Sequence, residues 1–173
     1  AILAESPGDV ASLLVSQGPA LLASGAYALL AQGLGLLGEP QISTRPELVL
    51  LYGWVSHAQF QFDITARVIS WIEAQLEVPE WQVLSAEFAT LRAQLAINQG
   101  NAERAAPLAE QALAVPARYL ASTPLTATAI LSEARFVLGY LDESLQRVRE
   151  VERLARQRED HQLLLWSFCH QSE

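Results

Sequence analysis

The chain of 173 residues carries 19 acidic against 11 basic side chains, a net charge of −8, and is 51% hydrophobic, led by Leu and Ala. That acidity argues against a grip on nucleic acid, which needs clustered Lys and Arg against phosphate, and the scarcity of Val and Ile favours helices packed on helices over a sheet. No apolar run reaches the roughly 18 residues that a bilayer crossing requires, and a lone cysteine, Cys169, leaves no internal disulfide and fits a reducing cytoplasm.

The chain begins at Ala1 without an initiator Met, a basic leader or a signal-peptide pattern, and stops at Glu173 within a helical run. A piece of a longer protein is therefore expected. In chain order, Val10 to Gln17 and Ala26 to Leu37 are predicted as helices, interrupted by Gly18-Pro19 and Gly25. Gly33-Leu34-Gly35-Leu36-Leu37-Gly38 matches G-x-G-x-x-G literally. A dinucleotide fingerprint needs a strand before it and a helix starting inside it. Here a helix-like run precedes, Glu39-Pro40 follows, and Gly38 reads as a helix end. A nucleotide-binding enzyme is the remote reading, and neither a Walker sequence nor Gly-x-Ser-x-Gly occurs, so no enzyme is expected.

Thr44-Arg45-Pro46-Glu47 predicts an N-terminus with Thr44 as cap and Glu47 closing a capping box. Leu48, Leu51, Tyr52, Val55 and Ala58 then form one apolar stripe. Asp63 is expected to cap a second helix, which Pro79 ends. A third helix is predicted from about Trp81 to Gln99, and a fourth from Asn101 to about Ala114 before Pro116. Another runs from about Leu120 to Leu138, Asp142 starts one reaching about Arg158, and Asp160 opens a last, truncated helix. Glu143 with Arg147, and Glu152 with Arg156, sit at i,i+4 as on a solvated helix face. Trp54, Trp71 and Trp81 are assigned mainly to the core, and Cys169 is expected as a buried small hydrophobe.

The stretch "AINQGNAERA", Ala96 to Ala105, sets the register. Its Gly100-Asn101 corner is matched at Gln61 and Gly139, a spacing of 39 each time, with small Ala66, Ala105 and Ser144 five residues after each corner. A helix pair repeating at that interval defines an all-α, right-handed α-solenoid of antiparallel helix pairs, tetratricopeptide-like with a longer period of about 39. The chain is one such domain over residues 1–173. The pairs fall at about 9–38, 46–77, 81–115 and 119–158, with a truncated helix at 161–173.

First helices of the pairs line the inner side of a solenoid. Counting back from Gly100 places Glu87, Thr90 (or Leu91), Gln94 and Asn98 in one polar stripe; a shift of 39 brings Thr126, Ala129, Glu133 and Val137 beside it. A further period brings Trp166 beside Thr126, and Ser172 or Glu173 beside Glu133. The candidate ligand-binding residues are Glu87, Gln94, Asn98, Glu133, Trp166 and Glu173. Carboxylates and amides hold hydroxyls in pairs and an indole stacks on a sugar face, so a polyhydroxyl ligand suits the ladder. The alternative is a solvated inner surface with Trp166 in the core. His57, His161 and His170 are scattered and give no metal site.

"EFATLRAQLAINQGNAERAAPLAEQAL" (Glu87 to Leu113), "PELVLLYGWV" (Pro46 to Val55) and "LWSFCHQSE" (Leu165 to Glu173) resemble the helical repeat region of the MalT family, ATP-dependent activators of maltose regulons among the LuxR-like regulators. The likeness runs from about Asp9 to the end. It implies a cytoplasmic multidomain parent with an N-terminal nucleotide-binding module and a C-terminal helix-turn-helix. Maltotriose and ATP would favour a self-associated, activating form, and inhibitory regulatory proteins would hold the monomer. On that resemblance ATP and DNA bind other domains, no cofactor belongs to this segment, and no membrane is involved. Inducer sensing and self-assembly remain for the segment itself. A protein-docking scaffold without a small-molecule ligand is the competing reading.

Overall fold

The structure, a computed structural model, describes residues 6–171. Among them lie eleven helices and no strand. They are α1 (Pro7–Ala23), α2 (Tyr27–Leu37), α3 (Glu39–Ile42), α4 (Pro46–Ala58), α5 (Phe62–Gln75), α6 (Pro79–Gln82), α7 (Ser85–Asn98), α8 (Ala102–Leu113), α9 (Thr123–Val137), α10 (Leu141–Arg158) and α11 (His161–Gln171). Packing pairs α1 with α2, α4 with α5, α7 with α8 and α9 with α10; α11 then packs on α10 and α9 as the start of a further pair. The single turns α3 and α6 sit between pairs. No described helix is long and apolar enough to cross a membrane.

Each corner closes by the same backbone bonds. The Asn101 amide donates to the Ala96 carbonyl and that of Gly100 to Ile97, with Gly100 at φ 73°. Tyr140 and Gly139 bond likewise to Arg135 and Phe136, with Gly139 at φ 85°. This is the glycine-ended helix terminus, in which a left-handed residue lets two amides satisfy the last carbonyls. At the α4–α5 corner the left-handed residue is Phe60, at φ 60°. The corners therefore fall at 25, 60, 100 and 139, and the expected corner at Gln61 is corrected by one residue. Five residues on, the packed small side chain is Thr65 (fully buried), not Ala66. Small residues then stand 12 apart at three of the four corners, as Gly53 and Thr65, Ala93 and Ala105, and Ser132 and Ser144, where the Ser132 hydroxyl donates to the Ser144 carbonyl at 2.9 Å. A Cβ on Gly53 would come within 2.5 Å of the Leu91 Cδ2. Close helix approach requires that absence.

Several local expectations give way to tertiary contacts. α1 runs unbroken through Gly18-Pro19. Pro19 has no N–H to offer the Val15 carbonyl four residues back, and the Tyr119 hydroxyl supplies that bond at 2.8 Å from 104 residues away. Burial, with Glu47 nearby, pushes the Tyr119 phenol well above its ordinary range, so it stays a donor. Thr44 caps nothing: its hydroxyl donates back to the Gln41 carbonyl, and Arg45 stands at the cap position. Asp63 lies inside the first turn of α5, behind Gln61. The helix expected over Trp81–Gln99 splits into α6 and α7, because buried Trp81 stacks on Phe88 with centroids 5.7 Å apart and holds the turn between them. α9 begins at Thr123, since the preceding segment is held open by a buried carboxylate described below.

Asn101 caps α8 through its side-chain oxygen and the Arg104 amide (3.0 Å), and Asp160 caps α11 through the Leu163 amide (3.0 Å), as expected. Glu152 pairs with Arg156 at 2.8 Å, whereas Glu143 lies 3.4 Å from Arg135 on the neighbouring helix rather than pairing with Arg147. Cys169 is exposed, with Leu165 and Phe168, because α11 packs only one side on α9 and α10. Trp81 is buried; Trp54 and Trp71 are half-buried against the same core. Gly38 ends α2, and Gly33 abuts Leu14 of α1, so the glycine run serves helix packing and termination.

Candidate ligand-binding site

The repeat places the inner faces of α7, α9 and α11 side by side. Between them lies a cavity of about 350 Å³ lined by Gln94 and Asn98 of α7, Thr126, Ala129, Ile130 and Glu133 of α9, and Leu163, Trp166 and His170 of α11. Four of the six sequence-predicted residues, Gln94, Asn98, Glu133 and Trp166, thus share one cavity. Glu173 lies outside the described residues.

Glu87 is the correction. It is fully buried, and its Oε1 accepts the amides of Arg118 (2.7 Å), Tyr119 (2.7 Å) and Leu120 (3.3 Å). The carboxylate is occupied in fastening the segment between α8 and α9 and does not face the cavity. Counting along a helix gives its direction, but not the loop that folds across it.

The polar side chains are pre-arranged. Gln94 Nε2 donates to Asn98 Oδ1 at 3.1 Å, and Asn98 Nδ2 meets His57 Nε2 of α4 at 2.6 Å. An amide nitrogen only donates, so His57 Nε2 is the acceptor and its proton sits on Nδ1. Trp166 and His170 stack at 4.2 Å, with His170 Nδ1 donating to the Trp166 carbonyl at 2.9 Å. The indole also packs against the cluster of Leu125, Ala129, Val151 and Ala155. Trp166 is both core and cavity wall, which joins two roles that sequence reading held apart. The wall offers amides, a carboxylate, a threonine hydroxyl and an aromatic pair, and it suits a neutral, hydroxyl-rich molecule with one apolar face.

His57 lies far from the other histidines in sequence, but it stands 41 residues from Asn98, close to one repeat. His170 was equally legible, one turn beyond Trp166. Among the described residues no three His, Cys, Asp or Glu side chains gather as metal ligands. A second, larger groove of about 550 Å³, lined by residues including Val15, Arg45, Glu47, Glu80 and Trp81, lies at the start of α4 and holds none of the predicted residues.

Burial holds the His57 pKa below its ordinary value near 6.5. The unfolded chain therefore binds more protons between the folded value and about 6.5, so stability is complete above that range and falls as pH drops through it. The drop between roughly pH 7.5 and 5.5 is expected to shrink in His57→Gln, whose side-chain oxygen still accepts from Asn98. Urea midpoints of both proteins at the two pH values measure this; equal drops would contradict the assignment.

Stacked helix pairs with a polar groove along their first helices define a tetratricopeptide-like repeat region. The chain belongs to the MalT-like TPR region family, which matches residues 86–173. It is 30% identical over 174 residues to the HTH-type transcriptional regulator MalT of Vibrio cholerae serotype O1, covering 99% of this chain and 19% of that protein. The regulators of the same name from Yersinia pestis (strain Pestoides F) and Yersinia pseudotuberculosis serotype O:1b are each 31% identical over 177 residues, covering 100% of this chain and 20% of theirs. The chain thus spans about a fifth of the length of these relatives. No solved structure matches it.

Proposed function

We propose that this chain is the inducer-sensing and self-assembly segment of an ATP- and maltotriose-dependent activator of maltose and maltodextrin genes. The observation that carries the reading is the single cavity joining Gln94, Asn98, Glu133 and Trp166 from three consecutive first helices. Amides and a carboxylate grip paired hydroxyls, and the indole gives the apolar sugar face a wall. The names of the relatives support a transcriptional role for the parent protein. ATP and operator DNA would be bound by other domains of that cytoplasmic parent. The segment would couple sugar binding to self-association and to release of inhibitory proteins, and it catalyses nothing.

Calorimetric titration of the full regulator with maltotriose tests the site. Glu133→Ala and Trp166→Ala are each expected to weaken binding by about tenfold or more. Unchanged affinity in both variants would sink the assignment. A protein-docking role is favoured at a different place, the α9–α10 corner, where Phe136, Val137, Tyr140, Leu141 and Leu145 are exposed together. A surface of that kind suits a protein partner, or another copy of the regulator.

A further inference from the structure

The α4–α5 corner breaks the pattern of its sister corners. Gly occupies the left-handed position at 25, 100 and 139, but Phe60 occupies it here, at φ 60° and 80% exposed. A bulky side chain is disfavoured in that backbone region, and an exposed ring gains nothing from burial. Glu159 holds a left-handed position too, at φ 56° between α10 and α11, but within the helix pairs glycine fills it at every corner except this one. The local sequence is Gln59-Phe60-Gln61-Phe62, alternating exposed amides with exposed rings.

These rings connect to the cavity. Phe60 meets Phe62 edge to face with centroids 6.2 Å apart, Phe62 meets His57 at 5.8 Å, and His57 Nε2 lies 2.6 Å from Asn98 Nδ2 in the cavity wall. Since His57 Nε2 is the acceptor, its Nδ1–H is left as a donor beside the rings. The cavity, at about 350 Å³, is at the small end of ligand pockets. A linear oligosaccharide seated in it would extend past its mouth.

We infer that the Phe60–Phe62 corner is a sugar-stacking subsite, continuous with the cavity through His57 and Asn98, that selects a trisaccharide over a disaccharide. This rests on the inducer-sensing reading above. A pyranose ring presents C–H groups on one face, which lie against aromatic rings, while its edge hydroxyls meet the amides of Gln59 and Gln61 and the His57 donor. The alternation of amide and ring favours a sugar here over a protein. The α9–α10 corner, by contrast, exposes Asp142 and Glu143 among its apolar side chains.

The test is calorimetric titration of the full regulator with maltotriose and with maltose, in wild type, Phe60→Gly, Phe62→Ala and Glu133→Ala. Phe60→Gly restores the residue of the sister corners, so it relieves backbone strain and is expected to raise or keep the thermal midpoint. Phe60→Gly and Phe62→Ala are each expected to weaken maltotriose by about threefold to tenfold and leave maltose unchanged. Glu133→Ala is expected to weaken both sugars. A maltotriose-to-maltose ratio that survives in Phe60→Gly and Phe62→Ala, or equal affinities in wild type, overturns the subsite. If Glu133→Ala binds both sugars as wild type does while Phe60→Gly loses its preference, the cavity reading fails and the corner stands. Absence of binding by wild type overturns both.

Discussion

Glu87→Ala is expected to destabilise the fold by about 3 kcal/mol, the cost of leaving three amides without their shared acceptor. The wild-type carboxylate, fully buried, takes the N–H groups of Arg118, Tyr119 and Leu120 through one oxygen. One acceptor oxygen shared by three successive amides ties the segment at a single point. Its loss frees the segment between α8 and α9, and with it the Tyr119 hydroxyl that satisfies the Val15 carbonyl across the molecule. The effect should therefore spread to α1. Glu87→Gln keeps one oxygen toward the amides and should cost about 1–2 kcal/mol. Denaturant midpoints give the energies, and hydrogen exchange of amides 118–120 locates them. Equal stability of Glu87→Ala and wild type would contradict the latch.

Phe88→Ala is expected to cost a similar amount or more, about 3–5 kcal/mol. Phe88 is 1% exposed, and its ring stacks on Trp81 with planes 27° apart. It lies in the same core cluster as Leu48, Leu51, Val68 and Leu91, so truncation opens a void where α4, α5 and α7 converge. The stack also fixes the α6 turn, and release of Trp81 should raise its fluorescence sensitivity to soluble quenchers. A loss below about 1 kcal/mol in thermal or urea unfolding would show that the neighbours collapse into the void.

The parts of the fold written in local residues were legible in the sequence. Gly100-Asn101 announced a helix end and a cap, and both are present in the backbone and in the Asn101–Arg104 bond. The register taken from that corner brought Gln94, Asn98, Glu133 and Trp166 to one cavity, because a helical repeat converts sequence spacing into lateral neighbours. What failed depended on distant partners. Pro19 reads as a break, but the Val15 carbonyl it leaves without an amide is met by the Tyr119 hydroxyl. Glu87 looked like a member of the polar stripe until the 118–120 amides closed over it. The α4–α5 corner slipped by one residue because no glycine marks it: Phe60 holds the left-handed position that glycine holds at the sister corners. His57 carried a usable signal, one repeat from Asn98, but it shows only when histidines are compared with the ladder rather than with one another.

We propose that inducer sits between α7, α9 and α11. Hydrogen exchange of the full regulator, with and without saturating maltotriose, tests it most directly. Added protection is expected in peptides covering 94–98, 126–133 and 163–170, which contain the cavity wall. Unchanged exchange there, with protection instead around residues 44–47 and 78–81 of the second groove, would contradict it.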